Sequence, residues 1–256
     1  MKRLDAGALV VVIGAFALWM GITETALLYV RPSARLWLTV AGAILLFLGT
    51  ALRALSLRAR RRGEAPAADG SHPSNRRHAA RVGWMLALPI AISMAVGSNP
   101  LGSYAAGRQN SQRVLPPGEF DLEQYLTAGS FGGQAPPLRV MDFIRAAGDD
   151  EDQALLADTR ITLTGFVTED DAVDDPHHFF LTRFTIGCCA ADAIALFVRV
   201  DLDDHHIPAA DTWVEVEGTL DPSASDPDDP INDPPVLVAH DVREADRPSE
   251  VYEYPP

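Results

Sequence analysis

Three apolar runs dominate the first hundred positions of the chain. The first, residues 7–30, contains no charge before Glu24, and the second, residues 36–52, follows after a short polar connection. A helix that crosses a membrane needs ~20 mostly apolar residues. The third run, residues 82–96, approaches that length only when its polar flank is included. The pattern predicts a membrane anchor of three helical spans over residues 1–97, with two spans and a surface-lying third segment as the alternative.

From residue 159 onward the hydrophobic pattern changes to alternation. Five short segments carry β-branched and aromatic residues at alternate positions and are separated by turn-forming residues. Gly165 marks a kink in the first of them. Five short strands in about 85 residues predict a small closed barrel that resembles the OB-fold. The predicted strands are residues 160–168, 178–187, 194–201, 213–220 and 236–242.

The segments around these strands complete the predicted domain organisation. Residues 98–136 contain six glycines and four prolines, which predicts a linker with at most a short helix near Leu122. Helical periodicity then recurs at residues 137–147 and 151–157, before the first strand. We therefore expect the OB-like domain to occupy residues 137–246. The polar residues 247–256 are predicted to form a loose tail.

Charge is divided unevenly between the two halves of the chain. Residues 1–97 carry 12 Lys and Arg against 4 Asp and Glu, whereas residues 98–256 carry 9 against 31. Most of the basic residues lie in the loop 53–81, which the positive-inside rule places in the cytoplasm together with the N-terminus. Three spans would then put the acidic half on the extracytoplasmic side, and two spans would leave it in the cytoplasm. An acidic domain also argues against nucleic-acid binding, because phosphate contacts require Lys and Arg.

The only two cysteines, Cys188 and Cys189, are adjacent and interrupt the alternation between the second and third strands. Both thiolates, with Asp192 and a histidine such as His178, would suit Zn²⁺ or Cu⁺. Adjacent residues of a regular strand point to opposite faces, so one ion can reach both thiols only where the backbone bends. Three other interpretations stay open: a vicinal disulfide or reversible thiol pair, a disulfide to another chain, and two small buried side chains.

Arg183 and Asp192 are the charged residues of the same stretch. We expect them to pair across the bend and hold it closed; contact between Arg183 and an anionic ligand or a partner is the alternative. The sequence contains no nucleophile with a base at recognisable spacing, no phosphate-binding glycine loop and no HExxH motif. We therefore predict that the protein is not an enzyme.

The string around the cysteines also resembles a known family. It contains Arg183-Phe184, Ile186 and Cys188-Cys189-Ala190-Ala191-Asp192-Ala193, and it is accompanied by GFV at 165–167, WVEVEGTL at 213–220 and Leu-Pro at 88–89. The combination is similar to a bacterial family of permease subunits, small membrane proteins encoded beside a predicted multi-spanning permease. The resemblance extends over residues 80–245, and the loops of this chain are more acidic than the family pattern.

This resemblance implies a membrane-anchored accessory subunit that has an OB-like domain and forms a complex with a multi-spanning permease in the bacterial cell membrane. It names no transported substrate. The motif residues Arg183, Phe184, Cys188, Cys189 and Asp192 become candidates for docking onto that partner. The alternative function is an extracytoplasmic membrane protein that binds a metal or senses thiol redox state without a channel.

Overall fold

The chain forms two compact units, Met1–Asn99 and Pro100–Pro256. The computed structural model describes residues 6–62, 92, 99–109, 115, 118–129, 131–168, 177–202, 207–224, 226 and 233–255. The described part of the first unit is helical, and the second unit is mainly β.

Two helices of the first unit form a tightly packed hairpin. Helix α1 (Ala6–Ile22) and helix α2 (Pro32–Arg61) are connected through a 3₁₀ turn. Glycines recur every seven residues on the contact face; they are Gly7, Gly14 and Gly21 on α1, and Gly42 and Gly49 on α2. A Cβ atom on Gly14 would lie 2.6 Å from the backbone nitrogen of Leu46. The glycines therefore let the two backbones approach directly, as small residues do between membrane helices.

Helix α2 has the length and composition of a membrane-crossing helix. Its segment Pro32–Arg58 passes that criterion, and only 11% of the most apolar part is buried within the protein. Helix α1 contributes a shorter apolar stretch, Gly7–Ile22. One described helix is thus long enough to span, whereas the sequence predicts three. The predicted third span, residues 82–96, lies outside the described residues except for Ile92.

The second unit contains a closed barrel of five strands: β2 (Ile161–Thr168), β3 (His178–Thr185), β4 (Ile194–Asp201), β5 (Trp213–Asp221) and β6 (Val236–Glu244). They close in the order β2-β3-β4-β6-β5 and back to β2. The β4–β6 pair is parallel and the other four pairs are antiparallel. The predicted barrel is confirmed, and strand β3 ends at Thr185, two residues earlier than the alternation indicates.

The seam between β2 and β3 is short. Only three residue pairs join the two strands, from Phe166 opposite Thr182 to Thr168 opposite Phe180. A Cβ atom on Gly165 would lie 2.8 Å from the carbonyl oxygen of Thr182, so glycine is needed where the strands converge. A two-residue strand β1 (Pro137–Leu138) pairs with the rest of β2.

In the described part of the second unit, four helices precede the barrel: α3 (Ser103–Gly107), α4 (Leu122–Ala128), α5 (Val140–Ala147) and α6 (Asp150–Asp158). Helix α5 is almost entirely buried and packs against β2, β3 and β4. The predicted linker is also more ordered than its composition suggests, since Ala106 of α3 and Leu122 of α4 are fully buried. Its glycines and prolines separate short helices that pack on the barrel unit.

The prediction of a loose tail over residues 247–256 is wrong for residues 251–253. Tyr252–Glu253 form strand β7, which pairs in parallel with β3. Val251, Tyr252 and Glu253 are buried, and the hydroxyl of Tyr252 accepts a hydrogen bond from the backbone amide of Leu101 at 3.2 Å. Two residues are too few to produce a visible alternation, so only tertiary contacts define this strand.

Candidate functional site

The two cysteines lie in a turn between β3 and β4 that one side chain holds together. The carboxylate of Asp192 accepts hydrogen bonds from three consecutive backbone amides: Gly187 at 3.1 Å, Cys188 at 2.8 Å and Cys189 at 3.3 Å. In return, the Cys189 side chain accepts a hydrogen bond from the backbone amide of Asp192, which completes a capping box at the short 3₁₀ helix Ala190–Asp192. We call residues 187–192 the cysteine turn.

Neighbouring residues on both sides support the cysteine turn. A Cβ atom on Gly187 would lie 3.2 Å from Oδ2 of Asp192, so a larger residue there would crowd the carboxylate. On the other side, the Gln109 side chain donates to the carbonyl oxygen of Ala193 at 2.7 Å and accepts from the amide of Ala195 at 2.8 Å. The exit of the turn is therefore held by a side chain from the segment before α4.

Both thiols are accessible at the cysteine turn. Cys188 is exposed, Cys189 is partly exposed, and their Sγ atoms are 3.6 Å apart. The interpretation of two buried side chains is therefore wrong. One ligand atom each from Cys188, Cys189 and Asp192 lies within 4.8 Å of the others, and this is the one group of three such residues found among the described positions. The bend required for two adjacent thiols to reach a common point is present.

Hydrogen bonding controls the protonation of this group. A hydrogen bond to Asp192, and a weaker one to Cys189, raise the pKa of the Cys188 thiol to about 11. Desolvation pushes the pKa of Asp192 upward, but hydrogen bonds from the Cys188 thiol and the three amides outweigh it, so that pKa lies below its ordinary value. Without a bound ion, the turn thus pairs a protonated Cys188 with an ionised Asp192 at neutral pH. A protonated thiol is a poor nucleophile.

His178 does not join the predicted ligand set. It begins strand β3, opposite Asp201, and its ring contacts that of Phe180. The seven residue steps to Thr185 span ~23 Å at ~3.3 Å per residue, so His178 lies at the far end of the strand from the cysteines. His205 and His206, a second adjacent pair of histidines that could supply the same ligand, lie outside the described residues.

The predicted ion pair between Arg183 and Asp192 is also wrong. Arg183 is only 7% exposed, and its guanidinium lies over the ring of Trp213 at 5.0 Å from the centroid. Its Nη2 donates to the carbonyl oxygen of Glu250 at 2.9 Å, and its Nε lies 3.8 Å from a carboxylate oxygen of Glu253. The carboxylate of Asp192 instead accepts hydrogen bonds from the backbone amides of its own turn.

Glu253 is the charged residue that the sequence analysis missed. It is 5% exposed and accepts hydrogen bonds of 2.8 Å from the first two amides of helix α5, those of Val140 and Met141. Burial raises the pKa of Glu253, although Arg183 and the two amides oppose this, and burial lowers the pKa of Arg183. The aromatic neighbours Tyr252 and Tyr254 are the one sequence feature that could have indicated a buried segment.

Burial divides the five motif residues into two groups. Phe184 is 1% exposed and stacks on Phe166 with 5.9 Å between ring centroids, and Arg183 is buried as described. Only Cys188, Cys189 and Asp192 are accessible to a partner or a ligand. The motif therefore combines a buried framework with an exposed turn.

Residues 150–255 match the family model described as the DUF1980 C-terminal domain. The matched range contains α6, the five barrel strands, β7 and every candidate site residue named above. The matched model carries no functional description, and it gives no assignment as a permease subunit. No curated protein and no solved structure matches the chain significantly.

Proposed function

We propose that the chain is a membrane-anchored accessory subunit of a two-component bacterial permease. The observation that carries the proposal is the combination, in one chain, of a largely unburied apolar helix with a compact barrel that exposes a preformed thiol turn. The resemblance of the motif around Cys188 and Cys189 to permease subunits supports the same assignment. The substrate is left open.

The proposal also specifies the fold of the barrel and the orientation of the membrane anchor. The five-stranded closure with a parallel β4–β6 pair supports an OB-like assignment. The arginines among residues 53–81 support a three-span anchor with the barrel outside the cytoplasm. In this arrangement the acidic unit raises the local concentration of cations near the permease, an effect that added salt weakens.

The cysteine turn is the part of the barrel unit suited to contact with the permease or its cargo. Its thiols and the Asp192 carboxylate are accessible, whereas the charged residues behind it, Arg183 and Glu253, are committed to internal contacts. The turn therefore either receives the transported species or docks at the outer mouth of the permease.

Co-expression with the neighbouring multi-spanning permease tests the proposal. We expect the two proteins to co-purify in detergent and the membrane level of each to fall when the other is deleted. The matched variants are Cys188→Ser with Cys189→Ser and, as control, Ala191→Ser on the same turn; only the first pair should reduce transport in whole cells. Normal levels of each protein alone, absence of co-purification and unchanged transport would contradict the proposal.

A second candidate is a membrane protein that binds a metal or senses redox state without a channel. The exposed thiols 3.6 Å apart favour it. A phenotype of the cysteine variants that persists after deletion of the permease would support this candidate over the first. The raised pKa of Cys188 argues against the redox-sensing form of this candidate, because thiol sensors rely on low-pKa thiolates.

A further inference from the structure

We propose that Cys188, Cys189 and Asp192 form an open, exchangeable site for a thiophilic divalent cation of the Zn²⁺ type, with both thiolates as ligands. The inference concerns the turn itself and holds with or without a permease partner. It depends on three features of the turn, namely the separation of the sulfur atoms, the rigidity of the backbone and the number of donors.

The separation of the sulfur atoms fits tetrahedral coordination. Two metal–sulfur bonds of about 2.3 Å at a tetrahedral angle place the sulfur atoms about 3.8 Å apart. The Sγ atoms of Cys188 and Cys189 are 3.6 Å apart before any ion is bound. A linear two-coordinate ion such as Cu⁺ would need roughly 4.6 Å at the same bond length, so the turn would have to open.

The backbone of the turn is organised before binding. Asp192 accepts from the amides of Gly187, Cys188 and Cys189, and the Cys189 side chain accepts from the Asp192 amide. Gln109 holds the next residues through two hydrogen bonds. Little rearrangement is needed to present both sulfur atoms to one ion, which reduces the entropic cost of binding.

The donor set is that of an exchangeable site. Structural zinc sites are closed by four protein ligands, whereas sites that keep an open position have three. Among the described residues, the cluster provides two sulfur atoms and one carboxylate, and Cys188 and Asp192 are exposed. A water molecule or a donor from another molecule would complete the coordination. Such a site can take up an ion from solution and release it to a competing ligand.

Binding is a replacement of protons by the metal ion. The cation displaces one proton from each thiol, two metal–sulfur bonds form, and two protons pass to solvent, so no oxidant or reductant is required. The two oxygens of Asp192 offer about four lone-pair sites and the three amides use three of them, so one site remains with which Asp192 can ligate the ion while it continues to hold the turn.

The test uses the full chain in detergent with a non-thiol reductant. Titration with Co²⁺, a spectroscopic substitute for Zn²⁺, should give a thiolate-to-cobalt charge-transfer band and the intense d–d bands of tetrahedral coordination at one ion per chain. Added Zn²⁺ should displace Co²⁺, with release of two protons into a weakly buffered indicator solution. Competition with a chromophoric chelator then gives the Zn²⁺ affinity.

The variants separate ligands from framework. Cys188→Ser and Cys189→Ser should each reduce the charge-transfer band to half or less, and the double variant should abolish it. Asp192→Asn should weaken Zn²⁺ binding by roughly 10–100-fold, the range typical of groups that orient or support a ligand. Ala191→Ser, an exposed position in the same turn, should leave spectrum and affinity unchanged. Circular dichroism of each variant confirms that the barrel is intact.

Several outcomes would overturn the inference. Weak octahedral Co²⁺ bands without charge transfer would place the ion on surface carboxylates instead. Binding that survives both cysteine variants would show another site, and binding of Cu⁺ with no affinity for Zn²⁺ would exclude the tetrahedral class. If the metal-binding test fails, the permease proposal is still decided by co-purification and protein levels. The metal site and the permease proposal can therefore fail separately.

Discussion

Asp192 and Glu253 make the same kind of contact in opposite surroundings. Asp192 accepts from three consecutive amides in an exposed turn, and Glu253 accepts from the first two amides of helix α5 inside the protein. The pKa of Asp192 lies below its ordinary value, whereas burial raises that of Glu253. The hydrogen bonds are similar, so the access of water determines the direction of the shift.

The backbone of Glu253 also pairs with the chain just before the cysteine turn. The backbone carbonyl of Glu253 accepts from the amide of Ile186, the residue just before the cysteine turn. The buried carboxylate ties β7, β3 and α5 together, and the exposed one shapes a turn whose thiols can react. A stable framework thus lies directly behind an accessible site, an arrangement that supports precise positioning of ligands.

The largest expected effect comes from removing the buried carboxylate. Glu253→Ala leaves the amides of Val140 and Met141 without an acceptor and Arg183 without its counter-charge. Breaking a buried pair in this way costs about 3–5 kcal/mol. Denaturant unfolding of the full chain, followed by near-ultraviolet circular dichroism, measures the loss.

The control for this variant is Glu250→Ala. The Glu250 side chain is exposed, and Arg183 contacts its backbone carbonyl, which the substitution keeps. Its unfolding should match the wild type within about 0.5 kcal/mol. Equal unfolding curves for the Glu253 and Glu250 variants would contradict the framework role of the buried carboxylate.

An intermediate effect is expected at the exposed carboxylate. The hydrogen bond to Asp192 is the main cause of the raised pKa of Cys188, about 11, so Asp192→Asn should lower that pKa. In a Cys189→Ser background, alkylation of Cys188 by iodoacetamide at pH 8 should then accelerate by about three- to fourfold for each unit by which the pKa falls, because more thiolate forms but each thiolate is a weaker nucleophile. Peptide mass spectrometry measures the rate, and Ala191→Ser is the control. A rate unchanged by the Asn substitution would show that the carboxylate does not hold the thiol proton.

The smallest expected effect is a pH dependence of stability. Because burial raises the pKa of Glu253, the folded state binds this proton more tightly than the unfolded state does. Its contribution to stability is fully present below the ordinary glutamate pKa and is lost as pH rises through the raised value. Glu253→Gln cannot titrate and keeps an oxygen acceptor for helix α5.

A comparison of the wild type with the Glu253→Gln variant tests this last prediction. The stability of the Gln variant should decline less than that of the wild type when urea midpoints are compared from pH 4 upward. A steeper decline in the Gln variant would mean that the folded-state pKa of Glu253 lies below its ordinary value, with the attraction of Arg183 outweighing burial.

Local pattern predicted the barrel strands well, because each strand has one face in the core and the alternation records it. The break in that alternation likewise located the cysteine turn. The same local pattern does not show which distant side chains are in contact in the folded protein. The length of strand β3 keeps His178 away from the cysteines. Arg183 lies beside Glu253, which is 70 residues further along the chain. No local pattern encodes either distance.

The short seam of the barrel has a consequence for association. Only three residue pairs join β2 to β3, which by itself would leave the remainder of both strands as free hydrogen-bonding edges. Strand β1 covers β2 on one side of the seam, and β7 covers β3 on the other. Two segments of two residues each therefore become the edge strands of the sheet, and edges this short offer a second chain little on which to add a strand. They limit edge-to-edge aggregation of the barrel unit and favour contact with a partner through side chains such as those of the cysteine turn.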